Sequence, residues 1–156
     1  SKHVKTGTSM PKDMRAKILA GKKFQNAYHF MRQLLMGKLD MDLHMGKVKD
    51  ATAAYRSMIK MYTGVDLPEK ETLFPAGFGH LVGYDAGYYS YLWALVYAQD
   101  AFSEFEAKGI LNPAIGMRWR KEVLEKGSSE DELTLVKNFL GRKPSDKAFL
   151  KELGVK

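Results

Sequence analysis

Residues 78–93 read FGHLVGYDAGYYSYLW and combine three glycines, one histidine and four tyrosines. Gly79 and Gly83 flank His80. The backbone on either side of this histidine can therefore adopt conformations that other residues resist, or allow another chain to approach closely. Beyond Gly83 the spacing of the apolar residues becomes helical. The stretch predicts a glycine-containing loop that leads into a helix.

The tyrosines of this stretch follow the period of a helix. Tyr84, Tyr88 and Tyr91 are spaced i, i+4 and i+7, so a helix would place their hydroxyls on one stripe. A second, apolar stripe is formed by Tyr89, Trp93, Val96 and Tyr97. Aromatic stripes with this spacing usually belong to a core, with each hydroxyl bonded to a backbone carbonyl. Periodicity alone leaves open whether the first stripe is core or a binding surface.

The spacing of the glycines also fits the packing of membrane helices, because Gly79, Gly83 and Gly87 follow a GxxxGxxxG pattern. His80 and Asp100 interrupt any apolar run that is long enough to span a bilayer. No signal peptide is visible either. We therefore predict no membrane partner and a cytoplasmic location, or a mitochondrial one in a eukaryote.

Composition and charge are those of an ordinary globular domain. The 156 residues are 45% apolar and 28% charged, which predicts one helical domain, residues 1–156, with a core. The absence of cysteine excludes disulfides and thiolate metal sites. The formal net charge is +7, but the lysines are scattered among acidic residues without a long basic run. This distribution favours a solvated surface over a nucleic-acid interface.

Helix caps recur along the chain and strand alternation is absent, so the sequence predicts an all-α fold. The predicted helices cover about residues 11–20, 23–44, 50–63, 85–108, 113–126, 129–140 and 146–153. Ser9, Asn112, Ser129 and Ser145 are their predicted caps. We expect the helix over 23–44 to be largely buried, because its apolar stripe is broad. Residues 65–83 have no period and are predicted to form a long functional or mobile loop.

Asp40 and His44 are one helical turn apart. Carboxylates and imidazole are metal ligands, so a metal site is one interpretation of the pair. A simple ion pair across one turn is the other, and we favour it.

Residues 78–92 resemble the substrate-binding loop and helix of the thimet oligopeptidase family of zinc metallopeptidases, which includes oligopeptidase A. The single glycine before Tyr84 is most similar to the version in mitochondrial intermediate peptidase. The resemblance covers nearly the whole chain. Further matching stretches are residues 32–34, 39–44, 109–113, 118–120 and 139–144.

The resemblance implies the helical C-terminal, substrate-binding part of the catalytic domain of a zincin-type oligopeptidase. It implies that Tyr91 is catalytic, donating a hydrogen bond to the scissile carbonyl and the tetrahedral intermediate. His80 is expected to assist catalysis, although the missing glycine brings it one residue closer to Tyr84 than in thimet oligopeptidase. The expected substrate-binding residues are Tyr84, Tyr88, Gly79 and Gly83.

The zinc-binding motif of that family, HExxH, does not occur in this sequence. The resemblance therefore implies that zinc in the parent enzyme is held by residues before this segment. The first residue is Ser1 rather than methionine, and we expect a fragment that binds no metal and is inactive alone. The implied partners are short peptide substrates and the rest of the same polypeptide. The alternative is a stand-alone helical module that binds peptides without catalysis.

Overall fold

The computed structural model of the chain describes residues 2–68 and 73–155. Within these ranges the fold is all-α, as predicted, and the extended pairing is one isolated bridge between Lys2 and Ser9. The helices are α1 Lys12–Gly21, α2 Asn26–His44, α3 Ala51–Thr63, α4 Phe74–Gly77, α5 Ser90–Lys108, α6 Pro113–Trp119, α7 Glu132–Leu140 and α8 Lys147–Leu153. A 3₁₀ turn spans Gly79–Leu81, and a π-helical segment, Arg120–Leu124, continues α6. None of the described helices is long and apolar enough to cross a membrane.

Several helix ends follow directly from the residues found there. The carboxylate of Asp50 accepts a hydrogen bond from the amide of Ala53 at 2.9 Å and caps α3. The side chain of Asn112 accepts from the amide of Ala114 at 3.0 Å and caps α6. Such side-chain acceptors satisfy amides that have no partner within the helix. Gly64 ends α3 in the left-handed conformation that glycine adopts without strain.

Three predicted caps differ from the structure. Ser9 does not cap α1, because it lies in the bridge with Lys2 and Pro11 precedes the helix. Asp131 rather than Ser129 caps α7, and its carboxylate accepts from the amide of Thr134 at 3.2 Å. The hydroxyl of Ser145 does accept from the amide of Lys147, at 3.2 Å, although Asp146 is the residue that precedes α8.

Helix α2 is less buried than the sequence predicted. It begins at Asn26, because Gln25 has a left-handed backbone (φ 56°) that interrupts the predicted helix. The side chain of Phe24 is 78% exposed, whereas Leu35 and Leu39 are fully buried. The N-terminal half of the apolar stripe therefore faces outward, and the burial lies in the C-terminal half, which packs against α3.

The described chain contains two separate apolar cores. The first joins α2 to α3 and to the segment before the 3₁₀ turn; its members are Leu35, Met36, Leu39, Tyr55, Ile59 and Phe78. The second joins the C-terminal half of α5 to α6 and α7; its members are Ala101, Ile115, Phe139 and Leu140. The first half of α5 contributes no buried residue to either of these cores.

Helix α5 begins at Ser90 instead of the predicted residue 85. Residues 84–89 form turns, with the amide of Gly87 bonded to the carbonyl of Tyr84 at 3.1 Å. The predicted apolar stripe does not form a core either, since Tyr89 and Trp93 are 56% and 59% exposed. The predicted loop over 65–83 contains α4 and the 3₁₀ turn, while its residues 69–72 lie outside the described ranges.

Candidate functional site

His80 lies on the 3₁₀ turn with four aromatic rings around its imidazole. The ring centroids of Tyr84, Tyr88 and Tyr91 are 5.9, 5.1 and 5.6 Å from that of His80. Phe78 approaches from below at 5.4 Å. We call these five residues the aromatic cluster. The turns of residues 84–89 bring Tyr84 and Tyr88 beside Tyr91, although one continuous helix was predicted to do so.

The hydroxyl groups of the cluster have three different partners. The hydroxyl of Tyr91 lies 3.0 Å from Nε2 of His80, and that of Tyr84 lies 2.8 Å from the hydroxyl of Ser90. The hydroxyl of Tyr88 donates to Oε1 of Gln33 on α2 at 2.9 Å. Tyr84 and Tyr91 are 45% and 48% exposed, whereas Tyr88 is half-buried. The cluster thus presents two exposed tyrosines, Tyr84 and Tyr91. The third, Tyr88, attaches the cluster to α2 through its hydrogen bond to Gln33.

The floor of the aromatic cluster is continuous with the first core. Phe78 contacts Phe74 at a centroid distance of 5.5 Å, and Phe74 stacks on Tyr55 at 4.5 Å. Tyr55 is buried, and this burial raises the pKa of its phenol. Because close-packed rings resist displacement, the cluster is supported from below by the core.

The glycines of the stretch differ in what the backbone requires of them. Gly83 has a φ of 96°, a conformation that other residues rarely adopt. A side chain on Gly87 would meet the ring of Tyr84 at 2.9 Å and its carbonyl oxygen at 3.1 Å. Gly79 has open space around it and no positive φ. The backbone therefore needs glycine at positions 83 and 87 but not at 79.

Asp40 is the residue of this site whose role the sequence analysis missed. Its carboxylate is fully buried and accepts hydrogen bonds from the amides of Ala86 and Tyr88, at 3.0 and 2.9 Å. The sequence does contain an indication of this role, since Asp40 follows Leu39 on the apolar side of a helix. A buried carboxylate requires hydrogen-bond partners. What the sequence could not show is that these partners lie 46 and 48 residues away.

The ion pair predicted between Asp40 and His44 is present. Nδ1 of His44 lies 2.9 Å from Oδ1 of Asp40, and Nε2 lies 3.7 Å from Oδ1 of Asp85. The hydrogen bond to the backbone carbonyl of Asp40 is the main cause that raises the pKa of His44. The two carboxylates raise it further, against the opposing effect of burial. Across residues 2–68 and 73–155, no three histidine, aspartate or glutamate side chains are grouped so that they could hold a metal ion.

An apolar groove of about 530 Å³ lies between α2, α3, α5 and α8. Its walls include Leu34, Trp93, Val96 and Phe149. Leu34 and Trp93 are 48% and 59% exposed. Large exposed apolar side chains in one groove are typical of a surface that binds a partner or ligand.

Comparison with known proteins identifies the family. The model of Peptidase family M3 matches residues 1–155. The chain belongs to peptidase family M3. Oligopeptidase A of Haemophilus influenzae is 38% identical over 99% of this chain and 24% of its own length. Saccharolysin of Saccharomyces cerevisiae is 36% identical over 99% of the chain and 22% of its own length.

An organellar M3 relative, the chloroplastic/mitochondrial oligopeptidase A of Arabidopsis thaliana, is 33% identical over 99% of the chain and 21% of its own length. The chain thus spans about a quarter of the length of the curated relatives it matches. The resemblance to this family of metallopeptidases is confirmed. The functions of the individual residues in the aromatic cluster remain predictions.

Proposed function

We propose that this chain forms the substrate-binding and oxyanion-stabilising part of a zinc-dependent endopeptidase that hydrolyses short peptides. The observation that carries the proposal is the hydrogen-bonding distance between His80 and the exposed hydroxyl of Tyr91. Membership of peptidase family M3 supports the reaction class. The accessible phenols supply the groups that such a reaction needs at the substrate carbonyl.

The proposed role of Tyr91 follows from the charge that develops during peptide hydrolysis. The carbonyl oxygen becomes an oxyanion in the tetrahedral intermediate, and a donor fixed beside it lowers the barrier. A phenol remains protonated at neutral pH and has one proton to donate. When Nε2 of His80 carries a proton, it donates to the oxygen of Tyr91. The proton of Tyr91 is then free to point at the substrate.

The remaining cluster residues shape the substrate site in this proposal. The exposed ring of Tyr84 provides a contact surface for the peptide. Tyr88 contributes its ring, since its hydroxyl already donates a hydrogen bond to Oε1 of Gln33. Gly79 and Gly83 keep the adjoining loop free of side chains, so that an extended peptide can approach its backbone.

The metal of the proposed reaction is assigned to another part of the polypeptide. The described residues do not fit a zinc site, because they contain no suitable group of three ligands. We propose that the rest of the same polypeptide carries the ligands and covers the apolar groove beside Trp93. In each relative the matching segment is about a quarter of the protein, and the remaining three quarters is long enough to form such a part. The cytoplasm remains the proposed location, or the mitochondrion in a eukaryote.

The test of the proposed function is Tyr91→Phe in the full-length polypeptide, which keeps the ring and removes the hydroxyl. Loss of one oxyanion donor costs about 2.7–4 kcal/mol, or roughly a hundred- to thousandfold in rate. We expect the lower end, with the loss in kcat rather than in KM, because the bond strengthens in the transition state. A quenched fluorescent peptide provides the measurement.

Tyr89→Phe is the matched control for this experiment. Tyr89 is similarly exposed, and its ring is not part of the aromatic cluster. Its kcat should stay close to that of the wild type. Wild-type kcat in Tyr91→Phe would contradict the proposed donor, and a selective loss in Tyr89→Phe would place the donor at Tyr89, just before α5.

The exposed groove favours the second candidate function, a module that binds peptides without catalysis. This candidate predicts that the 156-residue chain is monomeric in light scattering and binds peptides on its own. The first candidate predicts self-association of the chain, because the groove lacks its cover. It also predicts no turnover by the isolated chain with added zinc.

A further inference from the structure

The turn from Gly83 to Tyr88 has a backbone that needs external support. Ala86 has a φ of 55°, a left-handed conformation that is unfavourable for residues other than glycine. Gly83 is also in the positive-φ region, at 96°. Such conformations persist when the surrounding structure holds them in place. The turn carries Tyr84 and Tyr88, so its shape decides where two of the cluster's rings lie.

The support comes from a single buried carboxylate on α2. One oxygen of Asp40 accepts from the amide of Ala86 and the other from the amide of Tyr88. Charged acceptors form short and strong bonds with backbone amides, more so where water is excluded. Nδ1 of His44, on the same helix, lies 2.9 Å from the carboxylate, so His44 pairs with the buried charge when it is protonated. Asp40 therefore binds two amides in the C-terminal half of the strained segment at once.

Tyr88 links the hydrogen bonds of Asp40 to His80 and Tyr91, the groups proposed for catalysis. Its amide is held by Asp40, and its ring lies 5.1 Å from His80 and 5.2 Å from Tyr91. The ring thus packs against both residues that the hydrogen bond joins. A shift of the turn would move the ring and release the imidazole and the phenol from their present geometry. Small displacements of this kind can cost about a hundredfold in rate.

We propose that Asp40 is a positioning residue for the reaction. By binding the amides of Ala86 and Tyr88 it fixes the turn that carries Tyr88. The ring of Tyr88 in turn keeps His80 and Tyr91 at hydrogen-bonding distance. Asp40 does not contact the substrate, because it is fully buried. This inference rests on the proposed function for its catalytic consequence, while the anchoring itself can be tested without any reaction.

The first experiment is NMR spectroscopy of the 156-residue chain. In the wild type, through-hydrogen-bond couplings should connect the carboxylate carbon of Asp40 with the amide nitrogens of Ala86 and Tyr88. In Asp40→Asn the side chain keeps its size but loses one acceptor oxygen. The amide of Ala86 or Tyr88 should then exchange with solvent at least about tenfold faster. The ring signals of His80 and Tyr91 should shift as well.

Asp42→Asn is the matched control, because Asp42 is also buried and lies two residues along the same helix. Its carboxylate pairs with Lys38 within α2 instead of binding the turn. This variant should leave the exchange of the Ala86 and Tyr88 amides unchanged. Absence of the wild-type couplings overturns the anchoring even if Asp40→Asn does not fold. Unchanged amide exchange and ring signals in a folded Asp40→Asn overturn it equally.

The second experiment measures kinetics in the full-length polypeptide. Asp40→Asn should lower kcat about tenfold with a smaller change in KM, since the loss concerns the geometry of the reacting state. Asp42→Asn should retain wild-type kcat. If Asp40→Asn keeps full kcat while Tyr91→Phe loses it, Asp40 has no positioning role and the proposed function stands. If Tyr91→Phe is also fully active, the proposed function fails, and the NMR result alone decides whether Asp40 anchors the turn.

Discussion

Two buried aspartates hold distant segments of this chain, and they do so in different ways. Asp40 is fully buried, and Asp100 is 3% exposed. Asp100 accepts two hydrogen bonds from the guanidinium of Arg142, at 2.7 and 2.8 Å, and one from the amide of Ser145 at 2.8 Å. Asp40 accepts two amides and pairs with His44. Both carboxylates thus serve as attachment points for a loop.

The difference lies in the partners and in the backbone that each aspartate restrains. Arg142 keeps its charge at every accessible pH, whereas a histidine loses its charge near neutrality. Among the described residues, none from 142 to 145 has a positive φ, whereas the turn held by Asp40 contains two that do. Asp100 directly precedes Ala101 of the second core and has no contact with the aromatic cluster among those described. We infer that Asp100 serves stability and that Asp40 serves the geometry of the site.

The largest expected effect is that of Asp100→Ala on stability. The change leaves the guanidinium of Arg142 and the amide of Ser145 without their acceptor, and broken buried pairs cost about 3–5 kcal/mol. Arg142 is 43% exposed and can be rehydrated, so we expect about 2–3 kcal/mol. Urea unfolding followed by circular dichroism measures the loss. Asp146→Ala is the control and should change stability by less than about 0.5 kcal/mol, because its side chain forms no cap.

The acid dependence of the Asp100 anchor is the second prediction. The hydrogen bonds from Arg142, helped by the Ser145 amide, hold the pKa of Asp100 below its ordinary value of 3.8 against the effect of burial. A lowered pKa in the folded state means that the unfolded state binds the proton more readily. The stabilisation is therefore fully present above the ordinary pKa of 3.8 and is lost as the pH falls through the lower folded-state pKa. The stability difference between wild type and Asp100→Asn should shrink from about pH 6 to about pH 3. A constant difference would show that the charge of Asp100 is unimportant.

The third prediction concerns the strained backbone held by Asp40. Gly83→Ala places a side chain where φ is 96° and should cost about 1–2 kcal/mol of stability. Gly79→Ala should be tolerated within about 0.5 kcal/mol, since nothing lies near a side chain there and φ is not positive. Thermal and urea unfolding of both variants provide the measurement. Equal losses would mean that the two glycines are constrained alike, contrary to the geometry.

Sequence reasoning succeeded where local chemistry decides the structure. Asn112 caps α6 as predicted, and α3 ends at Thr63, the predicted last residue, before Gly64. The same logic predicted the ion pair between Asp40 and His44, one turn apart. The all-α class followed from many such local preferences acting together.

The missed features depend on contacts between residues far apart in sequence. Helical spacing placed Tyr84 and Tyr88 on α5, but the distant carboxylate of Asp40 favours a turn there by binding two of its amides. Periodicity also predicted Trp93 as core, although no described element covers it and it is 59% exposed. A stripe shows that a helix has an apolar face, but it does not show which partner covers that face.

The last and smallest effect is the response of the Asp40 anchor to alkali, opposite in direction to that of Asp100. The bond to the Asp40 carbonyl and the two carboxylates raise the pKa of His44 above 6.5. A raised folded-state pKa gives stability that is present below 6.5 and is lost as pH rises through the folded value. The wild type should therefore exceed His44→Gln in melting temperature at about pH 5.5 and equal it at about pH 9.

The charged groups that face His44 make this prediction specific. Asp40 approaches from its own helix and Asp85 from the turn, while Ala51, Thr52 and Leu81 line the remaining side without charge. Asp85→Asn should consequently lower the pKa of His44, measured by NMR titration, without returning it to 6.5. A titration of wild-type His44 at or below 6.5 would contradict the paired geometry. Asp40 would then bind the turn as a carboxylate without a charged partner, whereas Asp100 keeps its charged partner Arg142. The two aspartates would then differ in charge pairing even more than the structure indicates.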